Sequence, residues 1–152
     1  MKKISVASDH AGYLLKNEII GHLQRRKMQV QDHGCFSVES VDYPDFAALA
    51  ARAVQEGTSD GAILICGTGI GMAIAANKFK GIRAANITDC FQAEMGRRHN
   101  NLNALCLGAR VLKADQALPI VDVFLDTLFQ GERHARRVNK VMAFEQGQSA
   151  TP

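Results

Sequence analysis

The chain has 152 residues, of which 47% are hydrophobic and 22% charged, the balance of a globular protein with one domain and a core of its own. A formal net charge of +3 suits an anionic small molecule and does not indicate a nucleic-acid-binding protein. No apolar run approaches the length of a membrane span, and no signal peptide is apparent. We therefore expect a cytoplasmic protein without membrane contact.

The cysteines exclude two further classes of protein. Cys35, Cys66, Cys90 and Cys106 have no CxxC spacing, so neither a structural zinc site nor a disulfide framework is predicted. The pattern is typical of reduced thiols in the cytosol.

Strand-like and helical segments alternate along the chain. Short apolar runs predict strands at 3–8, 28–32, 62–65, 82–87 and 104–108. Helical spacing predicts helices at 13–27, 46–56, 72–78, 89–98 and 115–129, with a last basic helix from Glu132 to about Glu145. The same spacing places five apolar side chains, among others, on buried helix faces: Leu14, Leu15, Phe91, Met95 and Leu128.

This alternation predicts a doubly wound α/β fold, in which a five-stranded parallel sheet carries helices on both faces in a Rossmann-like arrangement. Residues 1–145 form a single domain in this prediction, and the polar segment 146–152 is expected to be a disordered tail. The last helix has no strand to cross to, so we expect it to pack at an interface with a partner subunit.

The segment Gly61–Met72 organises the chain, because an apolar strand is followed by a glycine loop and a helix. In that geometry the loop N–H groups and the helix N-terminus face one spot, which suits an anion. Cys66 stands where the strand ends. The loop lacks the lysine of a Walker A motif and is not a clean GxGxxG, so it indicates nucleotide binding only weakly. A tight turn with a buried cysteine is the alternative.

Two more polar clusters are predicted at strand ends. Asp9 and His10 follow the first strand, and His99 and Asn100 follow the fourth strand and its helix. Asp9 and His10 would then point into the same crevice as the glycine loop, although Asp9 could instead cap a helix and His10 lie on the surface. Tyr43 precedes a helix, where it either staples the helix to the core or lines a site.

A basic set could bind a phosphate through bidentate contacts. Arg133 and Arg137 are four residues apart and share a helix face, and Arg110 follows the fifth strand. Each arginine alone is also compatible with a solvated surface position. A thiolate beside N–H donors can act as a nucleophile, as in a cysteine hydrolase, or as a general base that forms an enediolate.

The chain resembles the type B ribose-5-phosphate isomerase family, which also includes the galactose-6-phosphate isomerase subunits. The matching segments cover nearly the whole chain in order: 7–12, 42–44, 61–71, 75–78, 81–84, 98–100, 103–105, 108–110, 133–134 and 137–138.

The resemblance implies a metal-free aldose–ketose isomerase that interconverts ribose 5-phosphate and ribulose 5-phosphate without a cofactor. It implies that Cys66 is the base, that Thr68 contacts the reacting oxygens, and that His99 and Asp9 assist ring opening. The amides that would hold the enediolate charge belong to Gly67, Gly69, Ile70 and Gly71. The side chains that would bind the sugar and its phosphate are Tyr43, Asn100, His10, Arg110, Arg133 and Arg137.

The resemblance also implies a homodimer whose sites lie between two subunits, with pairing of dimers into tetramers left open. The same chemistry on allose 6-phosphate, galactose 6-phosphate or erythrulose 4-phosphate stays an alternative, as does a non-catalytic phosphosugar sensor. Cys35, Cys90 and Cys106 are expected to be packing or surface thiols. The remaining histidines are expected on the surface: His22, His33 and His134.

Overall fold

The computed structural model describes residues 1–148, in which strands and helices alternate as the sequence predicts. The strands are β1 Lys3–Ser8, β2 Gln29–Asp32, β3 Gly61–Cys66, β4 Ala84–Asn86 and β5 Ala104–Gly108. The helices are α1 Tyr13–Arg25, α2 Tyr43–Gln55, α3 Ile70–Ala76, α4 Cys90–Asn100, α5 Ala114–Asp126 and α6 Glu132–Phe144.

These strands form one parallel sheet in the order β2-β1-β3-β5-β4. Side chains alternate along the central strand β3, so that Ile63 and Ile65 pack with α1, α4 and α5 on one face. Leu64 and Cys66 point to the other face, which is covered by the alanine-rich α2 and by α3. The sheet is therefore covered on both faces, which confirms the predicted doubly wound fold.

Strand order reverses between β1 and β3, and this reversal opens a crevice at the carboxyl edge of the sheet, where the strands end. The chain turns closely there: a Cβ on Gly12 would stand 2.7 Å from the carbonyl oxygen of Ile65. Only glycine allows this approach. The segment after β1 is thereby held beside the end of β3.

Some predicted helix faces are wrong. Leu14 and Phe91 are 70% and 69% exposed, because the buried stripes of α1 and α4 run instead through neighbouring residues such as Leu15 and Ala93. The predicted fifth helix extends too far, since α5 ends at Asp126 and leaves Leu128 81% exposed in the following loop.

The end of the chain continues past α6 in a turn, where the N–H groups of Gln146 and Gly147 donate to the carbonyls of Ala143 and Phe144. Residues 149–152 of the predicted tail lie outside the described residues. Within residues 1–148, no helix combines the length and the apolar character that crossing a bilayer requires.

Candidate active site

Cys66 is the last residue of β3 and is nearly buried, with 5% of its surface exposed. The Gly69 N–H donates to its Sγ across 3.1 Å, because the loop turns back over the strand end. Gly69 makes this turn with φ of 81° and stands at the start of α3. The sulfur of Cys66 therefore lies at the end of a buried strand, in contact with a backbone donor of the glycine loop.

The rest of the glycine loop lies across the carboxyl edge, over β5. A Cβ on Gly108 would stand 2.7 Å from the carbonyl of Thr68, so the loop rests directly on the β5 backbone. The Thr68 side chain is exposed beside this contact. Arg110 is anchored to the loop, since its N–H donates to the Gly67 carbonyl at 2.9 Å and its guanidinium lies against Gly67.

Asp9 and His10 stand beside the end of β3, at the crevice between β1 and β3. Asp9 is 7% exposed; its N–H donates to the Ile65 carbonyl, and its Oδ1 accepts the Gly12 N–H at 3.0 Å. The His10 Nδ1 accepts the N–H of Val41 at 3.2 Å. The neutral His10 ring therefore carries its proton on Nε2, where it can donate to an anion.

Tyr43 borders the same loop. It is the first residue of α2, and its ring packs against Gly71, where an added Cβ would stand 2.8 Å from two ring carbons. With 38% of its surface exposed, the ring forms a wall of the crevice.

A partly buried ion pair, which was not predicted, holds this edge together. Lys16 is fully buried on α1, and its Nζ donates to both carboxylate oxygens of Asp32, at 2.6 and 2.7 Å. Asp32 also accepts the N–H of Gly34 at 2.9 Å. The pair fixes the start of the loop 33–42, whose other end reaches His10 through Val41.

The structure places His99 and Asn100 away from these residues, and their predicted position at a strand end is wrong. They form the last turn of α4, which returns from the carboxyl edge to the amino edge before β5 begins at Ala104. Arg133 and Arg137, both exposed, lie on α6, which packs against α4. Within one chain the candidate residues therefore form two clusters at opposite edges of the sheet.

His134 is not the surface residue that the sequence suggested. It is 5% exposed, and its ring stacks on that of His99 with centroids 4.1 Å apart and planes inclined by 6°. Its four-residue spacing to Val138 and Met142, which are half-buried, was the available signal.

Two other predicted surface histidines are also partly buried. His22 bonds Asp122 at 2.7 Å, and His33 bonds the hydroxyl of Ser5 at 3.0 Å. The remaining cysteines agree with expectation, since Cys35 and Cys106 are buried and Cys90 is exposed.

Comparison with known proteins connects this geometry to a family. The Ribose/Galactose Isomerase family matches residues 4–141. Ribose-5-phosphate isomerase B of Escherichia coli is 47% identical over 146 residues, which cover 96% of this chain and 98% of that protein.

Solved structures agree with the sequence match. The structure of ribose-5-phosphate isomerase B from Clostridium thermocellum is 52% identical, with a TM-score of 0.95 over 97% of this chain and 99% of that one. The enzyme from Mycoplasma genitalium, solved with bound ribulose 5-phosphate, is 42% identical, with a TM-score of 0.93 over 96% of this chain and 97% of that one. Matches that span nearly the whole length show that this chain belongs to the ribose/galactose isomerase family and is an isomerase.

Proposed function

We propose that the protein interconverts ribose 5-phosphate and ribulose 5-phosphate through an enediolate, without a metal, with Cys66 as the base. The observation that carries the proposal is the Gly69 N–H at 3.1 Å from Cys66 Sγ, at the end of a buried strand and beside further loop amides. It supports a sulfur held next to a preorganised set of donors, and family membership supports the sugar phosphate as substrate.

The proposed proton transfer uses these positions. The Cys66 thiolate removes the proton from C2 of the open-chain aldose, and negative charge develops on O1. The amides of the loop 67–71 stabilise that charge, since an enediolate needs donors where the charge appears. The thiol then returns the proton to C1, while the Thr68 hydroxyl bonds O1 and O2 as the hydroxyl proton passes from O2 to O1. The product is the ketose.

The phosphate and the sugar ring need the second cluster. In the proposal His10 and Arg110 meet the phosphate from the carboxyl edge, and Arg133 and Arg137 meet it from the amino edge. His99 donates a proton to the ring oxygen and Asp9 accepts one from the C1 hydroxyl, which opens the furanose. Tyr43 and Asn100 line the sugar.

One chain cannot bring both clusters to one sugar. They stand at opposite edges of the sheet, and a strand as long as β5 already spans roughly 17 Å. This separation supports a homodimer in which each site takes Cys66, Asp9 and His10 from one subunit and His99 and Arg137 from the other.

The test is a kinetic comparison of purified protein on four sugar phosphates in the presence of a chelator: ribose 5-phosphate, allose 6-phosphate, galactose 6-phosphate and erythrulose 4-phosphate. We expect the highest kcat/KM on ribose 5-phosphate, unchanged by the chelator. A higher kcat/KM on another sugar phosphate would leave the proposed chemistry in place and change the proposed substrate. Binding of these sugar phosphates without turnover of any of them would indicate a sensor and contradict the proposed enzyme.

A further inference from the structure

We propose that His134 is a positioning residue for His99: its buried ring stacks on the His99 imidazole and holds the plane of that ring. This inference rests on the proposed function, because it concerns how His99 would open the sugar ring. It assigns a task to a buried histidine that the proposed reaction does not otherwise use.

The contact between the two rings is geometrically well defined. They lie nearly parallel, 6° apart in plane and 4.1 Å apart in centroid, with His99 on the last turn of α4 and His134 on the first turn of α6. His134 is 5% exposed, whereas its neighbour Arg133 is exposed. An aromatic ring stacked at this distance restricts rotation of the His99 ring about its side-chain bonds.

The surroundings of His134 keep it neutral. The Nε–H of Arg133 donates to His134 Nε2 at 3.3 Å, so this nitrogen acts as an acceptor and the ring proton stands on Nδ1. Protonation of Nε2 would break that bond and add a cation beside the guanidinium.

The charges around the ring act in the same direction. Burial lowers the pKa of the His134 imidazole, and the positive charges of His99 on α4 and of Arg133 and Arg137 on α6 lower it further. Of the groups that act on it, Glu132 opposes this shift and has the smallest effect. The pKa of His134 therefore lies below the ordinary histidine value of about 6.5, so the ring is neutral near pH 7.

A neutral His134 ring gives the His99 imidazole a flat face to pack against and adds no positive charge beside it. In the proposal His99 is the acid that faces the substrate, and the stacked His134 ring fixes its orientation.

Two substitutions of His134 test whether it acts by holding the His99 ring in place. His134→Ala removes the stacked face, and His134→Phe keeps it without a titrating group. His22→Ala is the matched control, since His22 is another part-buried histidine, bonded to Asp122 on α5. Full-length protein labelled at histidine reports the ring-proton shifts of His99 and the titration of each ring by NMR, and kinetics on ribose 5-phosphate give kcat and KM against pH.

In the wild type we expect His99 ring protons shifted upfield by the His134 face, and a His134 ring that titrates below 6.5. His134→Ala should lose the upfield shift and lower kcat about tenfold to a hundredfold, with a smaller change in KM. His134→Phe should recover the shift and most of kcat, and His22→Ala should change neither.

Several results would overturn the inference. One is an unchanged His99 spectrum and kcat in His134→Ala; another is a His134→Phe variant as impaired as His134→Ala. If His134→Ala does not fold, a wild-type His134 that titrates at or above its ordinary value is sufficient to reject it. The NMR measurements need no substrate, so they decide this inference even if the wild type fails to isomerise ribose 5-phosphate, which would instead reject the proposed function.

Discussion

Two thiols on neighbouring strands show how position decides chemistry. Cys106 lies inside β5 and is fully buried; burial raises the pKa of its thiol, and the nearby Cys66 raises it further. Cys66 ends β3, where the chain turns and the Gly69 N–H reaches its sulfur. A thiol buried inside a strand stays protonated, whereas a thiol at the carboxyl end of a strand can meet a substrate. Of these two, only Cys66 is placed to act as a base.

Replacement of Cys66 tests the base directly. Cys66→Ala removes the group that accepts the C2 proton, so kcat should fall about a hundredfold to ten-thousandfold. Binding of ribose 5-phosphate should persist, because the phosphate contacts do not involve the sulfur. Calorimetric titration and steady-state kinetics measure the two effects.

The control for this substitution is Cys90→Ala, since Cys90 is an exposed thiol at the start of α4. It should retain wild-type kcat. A Cys66→Ala protein whose kcat lies within a few-fold of wild type would mean that another group removes the proton.

At the scale of elements, the parts that could be predicted are those governed by local sequence. The run Gly61–Cys66 is buried along its whole length, as an apolar strand at the centre of a parallel sheet must be, and the glycine loop follows where the glycines stand. The strands and helices appear in the predicted order for the same reason. The family resemblance supplied the roles of the site residues, which local pattern left open.

The errors concern contacts between distant segments. His134 is buried because α6 folds back on α4; its four-residue spacing to Val138 and Met142 marks a helix face but not the helix that covers it. Phe91 is exposed because α4 turns a different face to the sheet. The predicted position of His99 at a strand end is wrong because His99 closes α4, and a helix between the parallel strands β4 and β5 returns the chain to the amino edge. Lys16 is an unusual case, since a buried lysine is tolerated only with a partner such as Asp32, 16 residues away.

The turn at Gly69 gives a prediction for an element. Its φ of 81° disfavours any side chain, and a Cβ there would meet Asn86 Oδ1 and stand 3.0 Å from the carbonyl carbon of Leu107. Gly69→Ala should therefore shift the loop, lengthen the contact to Cys66 and lower kcat about tenfold or more. Stability should fall by roughly 1–3 kcal/mol, as measured by urea unfolding.

Gly81→Ala is the matched control. Gly81 has almost the same φ, 82°, but nothing lies within 4 Å of an added Cβ. The Gly81→Ala substitution should lower the free energy of unfolding by about 1 kcal/mol, from the backbone conformation alone, and leave kcat unchanged. Equal kcat in the two variants would show that the loop geometry at Gly69 does not serve catalysis.

At the scale of the whole molecule, the unpartnered surface agrees with a shared site. A groove of about 780 Å³ lies between α4, α6 and the edge strand β4, and it is lined by apolar side chains such as Phe91 and Val141. Val141 and Phe144 on α6 are 55% and 52% exposed. Apolar surface beside the His99 cluster supports contact with a second copy of the chain, which would bring that cluster to the partner's Cys66.

Mixed dimers test this arrangement. Cys66→Ala and His99→Ala homodimers should both have strongly reduced activity, because every site then lacks one group. A dimer with one chain of each kind, isolated through two different tags, has one site with both changes and one site with neither. It should therefore show about half of the wild-type activity.

The control is a dimer that pairs a wild-type chain with a chain carrying both Cys66→Ala and His99→Ala. If each site draws on two chains, both sites of this dimer lack one group and its activity should be as low as that of the single-variant homodimers. If each site lies within one chain, the two dimers give the opposite results. This control then keeps half of the activity, and the first mixed dimer has almost none. The comparison needs no structure of the complex, because the same two substitutions give opposite results according to whether they stand in one chain or in two.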